Sequence, residues 1–319
     1  LPSRFFGFLK YTAGLSIAAL VSWTVVTELK DYTLGEIVSA LVSIPTRKIL
    51  LAMAFTILDY TIIAAVDFLG LRWLGCKTPF AKTAFAAVTG NALWCNAGVI
   101  AGSSAKFRLY DALGLAAVQT GSLITFTSIT YFLGLCFLGG TLGLLRPFPV
   151  IGQTLPLPAD SSKIIPLLLL SVPVAYLFFS AARKKSLSVA GHEMTLPDIK
   201  TAMAQILLAS TDWIIAGTIL IVLLPDMTKF SAISVISAYI LAQTGVLVSQ
   251  VPGGIGILEG MLLILLPPSI TGDYEIASIL VFRIIFSLFP LLLSSFSYGI
   301  FELWNKNTSK NGEKGYNTD

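Results

Sequence analysis

The sequence predicts an all-α, polytopic membrane fold, and three observations carry that prediction. The 319-residue chain is 55% hydrophobic and 12% charged, with a mean hydropathy of +0.83, outside the range of soluble globular domains. Its apolar residues form runs long enough to cross roughly 30 Å of hydrocarbon. Those runs lack the every-second-residue polarity of a membrane barrel strand, so helices are the spanning structure that remains.

Six runs predict full spans, at about 11–29, 49–71, 115–144, 164–182, 202–224 and 275–303. The first resembles a signal-peptide core in length, but more apolar chain follows it rather than a cleavage site, so it is expected to be retained. Residues 31–46 predict a short interfacial helix. The Pro-rich stretch 145–163 predicts an external loop joining two halves, about 49–144 and 202–303. The transmembrane domain so defined is 1–304, and the polar tail 305–319 is expected to be disordered.

Two further segments are apolar yet broken. Residues 80–114 contain Gly90, Asn91, Asn96, Gly98, Gly102, Ser103 and Ser104; residues 230–267 contain "QVPGGIGILEG", with Pro252, Gly253, Gly254 and Gly256 as a break or hinge. In the second segment, the run after the break rises only about 15 Å as a helix, too short to cross, before Pro267 and Pro268 end it. Each segment is expected to enter, turn and leave on the same side, as a re-entrant hairpin.

Positive charge tests this topology, because Lys and Arg concentrate on the cytoplasmic side. With both hairpins re-entrant, Arg183, Lys184 and Lys185 join the cytoplasmic set, which then outnumbers the external one. Both termini are expected to be cytoplasmic. In this topology the second half repeats the first with every direction reversed. A short echo fits: "AGVI" at 97–100 and "TGVL" at 244–247 follow Asp67 and Asp212 at similar distances. Inverted repeats with broken helices are an architecture of transporters, where backbone groups freed at the break line the substrate site.

An ionisable side chain in a span costs roughly 2.5–3.5 kcal/mol on insertion scales, so each needs a partner, a water-filled cavity or a function. The candidates are Asp59, Asp67, Lys106, Arg108, Asp212, Glu259 and Arg283. Mutual pairing that only locks helices together is the plain alternative for each. Asp59 and Asp67 are eight residues apart, about 80° around one helix, so both can face the interior; Asp67 can equally meet Arg72. In "SSAKFRLY", Ser103, Ser104, Lys106, Arg108 and Tyr110 make a candidate phosphate cradle of hydroxyls, freed N–H groups and a forked guanidinium. A snorkelling basic pair is the competing reading. Glu259 and Arg283 are placed to pair across the second hairpin, and Pro290 to loosen the last span. Asp59, Asp67 and Asp212 are candidate proton or amine sites.

Enzyme chemistry is not expected. His192 is the single histidine, and HExxH, GxSxG and a Walker A loop are all missing from the sequence. Cys76, Cys95 and Cys136 suggest neither a disulfide framework nor a metal cluster, and no cofactor is implied. The net charge of +4 is spread along the chain and gives no nucleic-acid patch.

Three stretches, "VDFLGLRWLG" (66–75), "GSSAKFRLYDALGL" (102–115) and "VPGGIGILEG" (251–260), occur in an order that resembles a known family. The chain is similar, over roughly residues 10–303, to the transmembrane region of bacterial lysylphosphatidylglycerol synthetases (multiple peptide resistance factors) and their stand-alone YbhN-type relatives. In that family the first break carries Ser-Gly-Gly and then Arg-Tyr-Arg-Leu-Tyr. Arg108, Tyr110, Glu259 and the Pro-Gly-Gly match it directly, Lys106 replaces an arginine, and the glycines are shifted. The resemblance implies lipid flipping in a bacterial inner membrane: translocation of an anionic or aminoacylated phospholipid, with Lys106, Arg108, Tyr110, Ser103, Ser104, Glu259 and Arg283 near the headgroup. The aminoacyl-transferase domain of the fused members has no counterpart in this sequence. A membrane scaffold that docks a lipid-modifying enzyme is the alternative, and a homo-oligomer is compatible with either.

Overall fold

Unbroken apolar sequence after Pro45 winds into the first long helix, α1 (Thr46–Trp73). The computed structural model describes residues 35, 39, 42–145, 163–182, 187–189, 192–194, 196–225, 231–249, 252–254, 256–266 and 273–315. The expected first span at 11–29, and most of the segments 31–46 and 145–163, lie outside the described residues. After α1 come α2 (Phe80–Ala112), α3 (Ala117–Leu145), α4 (Ile164–Ala182), α5 (Ile199–Leu223), α6 (Ala232–Ser249), α7 (Ile257–Leu265), α8 (Asp273–Arg283) and α9 (Phe289–Gly315). A small antiparallel ribbon, β1 (Leu187–Val189) and β2 (His192–Met194), lies between α4 and α5.

Seven helical segments among the described residues are long and apolar enough to cross a membrane: α1 to α6, and Ile276–Leu303, which runs from α8 into α9. Many of their threonine hydroxyls are satisfied within the helix, as where Thr56 and Thr130 donate to the carbonyls of Ala52 and Phe126. Large apolar side chains face outward, among them Ile57, Leu168, Phe178, Leu207 and Phe296. A soluble monomer does not leave so much contiguous apolar surface in water, and a bilayer covers it. The chain is a polytopic helical membrane protein.

The long helix α2 does not run straight. At Gly98, with φ 87° and ψ 175°, the backbone leaves helical geometry, in a region where a Cβ is disfavoured. A Cβ on Gly102 would lie 2.7 Å from the Gly90 carbonyl oxygen and from the Trp94 Cα. Residues twelve apart on a straight helix are about 18 Å distant, so the two arms fold back against each other. The second hairpin has the same form. Its arms α6 and α7 pack together around a short 3₁₀ turn, Pro252–Gly254. Gly253, Gly254 and Gly256 all have positive φ, and a Cβ on Gly254 would lie 2.7 Å from Val246 Cγ1.

Helix, hairpin, helix is therefore the order in both halves, and the halves run in opposite senses. Lys48 at the start of α1 donates to the Leu224 and Pro225 carbonyls at the end of α5, so these two helices are antiparallel. Asp59 and Asp212 each stand thirteen residues beyond the first residue of their helix, Thr46 and Ile199. The equivalence is thus Asp59 with Asp212, and Gly98 with the Pro252–Gly254 tip. The "AGVI"/"TGVL" echo, which matched Asp67 to Asp212, is out of register: Gly98 is an apex, whereas Gly245 lies within α6 opposite Met261.

Glycines set the closest crossings. A Cβ on Gly134 of α3 would lie 2.8 Å from the Ala209 carbonyl carbon of α5, and one on Gly140 2.8 Å from the Pro166 carbonyl oxygen of α4. Small residues at such points let helix backbones approach where no hydrophobic force drives them together. The main core joins α1, α5, α6, α7 and α8, with Tyr239 and Phe282 edge-to-face at its centre. Between α8 and α9 runs a π-helical turn, Ile284–Leu288. Pro290 follows it, lacks an N–H, and frees the Phe286 carbonyl four residues earlier. Tyr60 donates to that carbonyl, and Asn96 beside the first apex donates to the Ser287 carbonyl. The tail expected to be disordered from residue 305 is helical as far as Gly315. No proline interrupts it, and a packed helix propagates at low cost per added residue.

Candidate functional site

The three positive φ values around Pro252 turn the chain so that α7 starts afresh at Ile257, leaving its first N–H groups to be satisfied. Glu259, at the third helical position, reaches back, and the Gly256 N–H donates to its Oε2 at 2.9 Å. Its other oxygen, Oε1, lies 3.4 Å from Nη1 of Arg283. Arg283 Nη2 donates to the Gly253 carbonyl. One guanidinium at the end of α8 thus ties both the tip and the start of the returning arm. The tip itself packs against α2, so the second hairpin's break lies against the first hairpin.

The candidate phosphate cradle divides between two partners. Lys106 is buried and its Nζ lies 2.8 Å from Asp67 Oδ1. Tyr110, also buried, donates to Asp67 Oδ2 at 2.7 Å. The Asp67 carboxylate is thereby held by a cation and a phenol, and Arg72 instead lies over the Phe68 ring at 4.9 Å. Arg108 turns to the last helix. Its Nε lies 2.9 Å from Glu302 Oε1, its Nη2 donates to Oε2 at 2.9 Å, and its guanidinium is 5.9 Å from the Phe301 ring. Ser103 is half-buried and Ser104 exposed. Glu302 was missed by the sequence reading, although it falls inside the predicted 275–303 span, where any carboxylate demands a partner.

Asp59 and Asp212 are different. Asp59 is 0% exposed, and neither of its oxygens has a hydrogen-bond partner; Asp212 is 7% exposed, and its Oδ1 has none. The antiparallel packing of α1 on α5, with Lys48 opposite Leu224, brings them opposite each other, near enough for the charge of one to act on the other. Asp67, grouped with them by sequence, belongs instead to the Lys106 and Tyr110 cluster. Among the described residues, no three His, Cys, Asp or Glu side chains converge as a metal-holding group.

No known family profile matches the chain. It is 29% identical over 303 residues to an uncharacterized protein of Synechocystis sp., covering 94% of this chain and 92% of that one. It is 28% identical over 210 residues to the inner membrane protein YbhN of Escherichia coli, covering 64% of each. The similarity to an inner membrane protein agrees with the apolar helices, and the chain is a multi-pass membrane protein.

Proposed function

We propose that this chain is a lipid translocase of a bacterial inner membrane, moving an anionic or aminoacylated phospholipid between leaflets. The observation that carries the reading is the meeting of two glycine-broken hairpins inside two inverted halves. Hairpins that reach mid-membrane from opposite sides, with both termini cytoplasmic, offer a headgroup a polar path flanked by freed backbone groups. The resemblance to the membrane region of lysylphosphatidylglycerol synthetases supports a lipid rather than a small solute. Similarity to an inner membrane protein supports the location.

Of the three basic side chains in the predicted headgroup set, Arg108 is the most accessible, at 22% against 7% for Lys106 and 8% for Arg283. Its guanidinium fork holds Glu302 as it would hold a lipid phosphate, so an arriving phosphate displaces one anion with another. Lys106 and Tyr110 position the hairpin arm through Asp67, and Glu259 and Arg283 hold the opposite tip.

A non-transporting scaffold for a lipid-modifying enzyme is favoured by one observation: Lys106, Arg108 and Arg283 all have internal anionic or carbonyl partners. Vesicle reconstitution separates the two readings. With a phosphatidylglycerol bearing a quenchable headgroup, translocation predicts loss of the protected inner-leaflet signal. Arg108→Lys is expected to slow it by roughly tenfold or more, since a charge-assisted bond contributes about 1.5–3 kcal/mol. No movement above protein-free vesicles, from folded protein, supports the scaffold.

A further inference from the structure

We propose that Asp59 and Asp212 form a proton-binding dyad at the crossing of the two halves, serving as the coupling site of the translocase proposed above, on which reading the coupling role rests. The geometry begins with symmetry. Asp59 on α1 and Asp212 on α5 occupy equivalent places in inverted halves, so a change that exchanges the two halves' exposure exchanges the surroundings of the two carboxylates. Three other carboxylates hold cations: Asp67 has Lys106, Glu259 has Arg283 and Glu302 has Arg108. Asp59 has neither cation nor hydrogen-bond donor.

Two carboxylates that face each other in a low-dielectric interior do not both stay ionised without a counter-charge; one proton shared between them removes the repulsion. The charged and titratable groups around them supply no cation. Tyr60 comes from α1, Cys95 from α2, Tyr131 from α3 and Tyr239 from α6. Arg283 from α8 acts on Cys95 and holds Glu259 and Gly253.

A second observation bears on how a proton reaches the dyad. Val88 and Ala92 of α2 pack on Tyr60 and Tyr131, and Cys95 continues the same helical stripe, three residues beyond Ala92. Despite that inward direction Cys95 is exposed, and Asn91 and Tyr131 are half-buried. The stripe therefore leads from Tyr60 and Tyr131 to accessible surface at Cys95. The Tyr131 hydroxyl is buried without a partner, and Asp212 is foremost among the charges acting on it. A proton arriving from that surface meets Asp212, the slightly accessible member, and is shared with Asp59. It leaves from Asp212 to water when the exchange of the two halves turns the dyad's surroundings to the other side. The ammonium of a lipid headgroup needs contact surface that Asp59, at 0% exposure, does not offer. A proton needs none.

Infrared spectroscopy of the purified full-length chain tests the dyad without reference to lipid movement. A carbonyl band of a protonated carboxylic acid is expected at neutral pH, lost at high pH, shifted in both Asp59→Asn and Asp212→Asn, and removed when the two substitutions are combined. A spectrum with no titrating acid band, a band unmoved by either single substitution, or a band that survives in the double variant overturns the dyad. Thermal unfolding of each variant, and of Asp59→Leu, guards against misfolding as the cause. Coupling is read separately in vesicles: an imposed pH gradient is expected to change the wild-type flipping rate severalfold and to leave the Asp212→Asn rate unchanged. Wild-type flipping that ignores the gradient while the acid band is present overturns coupling alone. Absence of all flipping overturns the translocase reading and, with it, the coupling role, and the infrared band then decides the dyad alone.

Discussion

Gly90 and Gly102 meet across the first hairpin, where a Cβ on Gly102 would lie 2.7 Å from the Gly90 carbonyl oxygen. Backbone cannot swing aside as a flexible side-chain end does, so even one methyl group forces the arms apart. Gly102→Ala is expected to cost about 1–3 kcal/mol, the range for overpacking a close contact, seen as a lower midpoint of thermal unfolding in detergent. Gly260→Ala is the control, because Gly260 lies in α7 with open space around its missing Cβ. Equal midpoints for Gly102→Ala and the wild-type chain would show that the arms are not packed as described.

Asp67 makes a prediction that separates stability from recognition. It is fully buried and bonded to Lys106 and Tyr110, so Asp67→Asn strands an ammonium in a low-dielectric site, at about 3–5 kcal/mol. A neutral pair of similar size, Asp67→Leu with Lys106→Met, is expected to recover most of that loss. Flipping by the stable double variant then decides the role of Lys106. Retained activity leaves it a structural partner, and a stable but inactive protein restores it to the headgroup.

The positions of the two hairpins were legible in the sequence because a break in a membrane helix needs residues that tolerate non-helical backbone. Gly98 and the Pro252–Gly254 run are such residues set inside apolar chain. Lengths were legible for the same reason: α4 begins and ends at residues 164 and 182, as the apolar run does. Pairing was not. Asp67 and Lys106 are 39 residues apart, and Arg108 and Glu302 are 194 apart; one helix periodicity gives a side chain's direction but not what stands opposite. The meeting of Asp59 with Asp212 needed the register of the inverted halves, which the four-residue echo set wrongly. Glu302 went unnoticed because it lies near the end of a span, where carboxylates commonly reach water.

Glu259 and Arg283 give the last prediction, since the sequence cast Glu259 as a headgroup or proton group and the structure occupies both its oxygens. Oε2 accepts from the Gly256 N–H and Oε1 faces Arg283, whose other arm holds the Gly253 carbonyl. Arg283→Lys keeps the charge but loses the fork, so it holds the tip or the carboxylate and not both. Faster amide hydrogen exchange is therefore expected over residues 252–260, while α3 and α5 exchange as before. Glu259→Gln retains an oxygen for the Gly256 N–H but leaves the buried guanidinium without its anion, and is expected to lower the unfolding midpoint. Adding Arg283→Leu is expected to restore the midpoint while the tip stays loose. If Glu259→Gln unfolds at the wild-type temperature, keeps wild-type exchange over 252–260 and yet moves no lipid, the carboxylate acts on the substrate rather than on the hairpin.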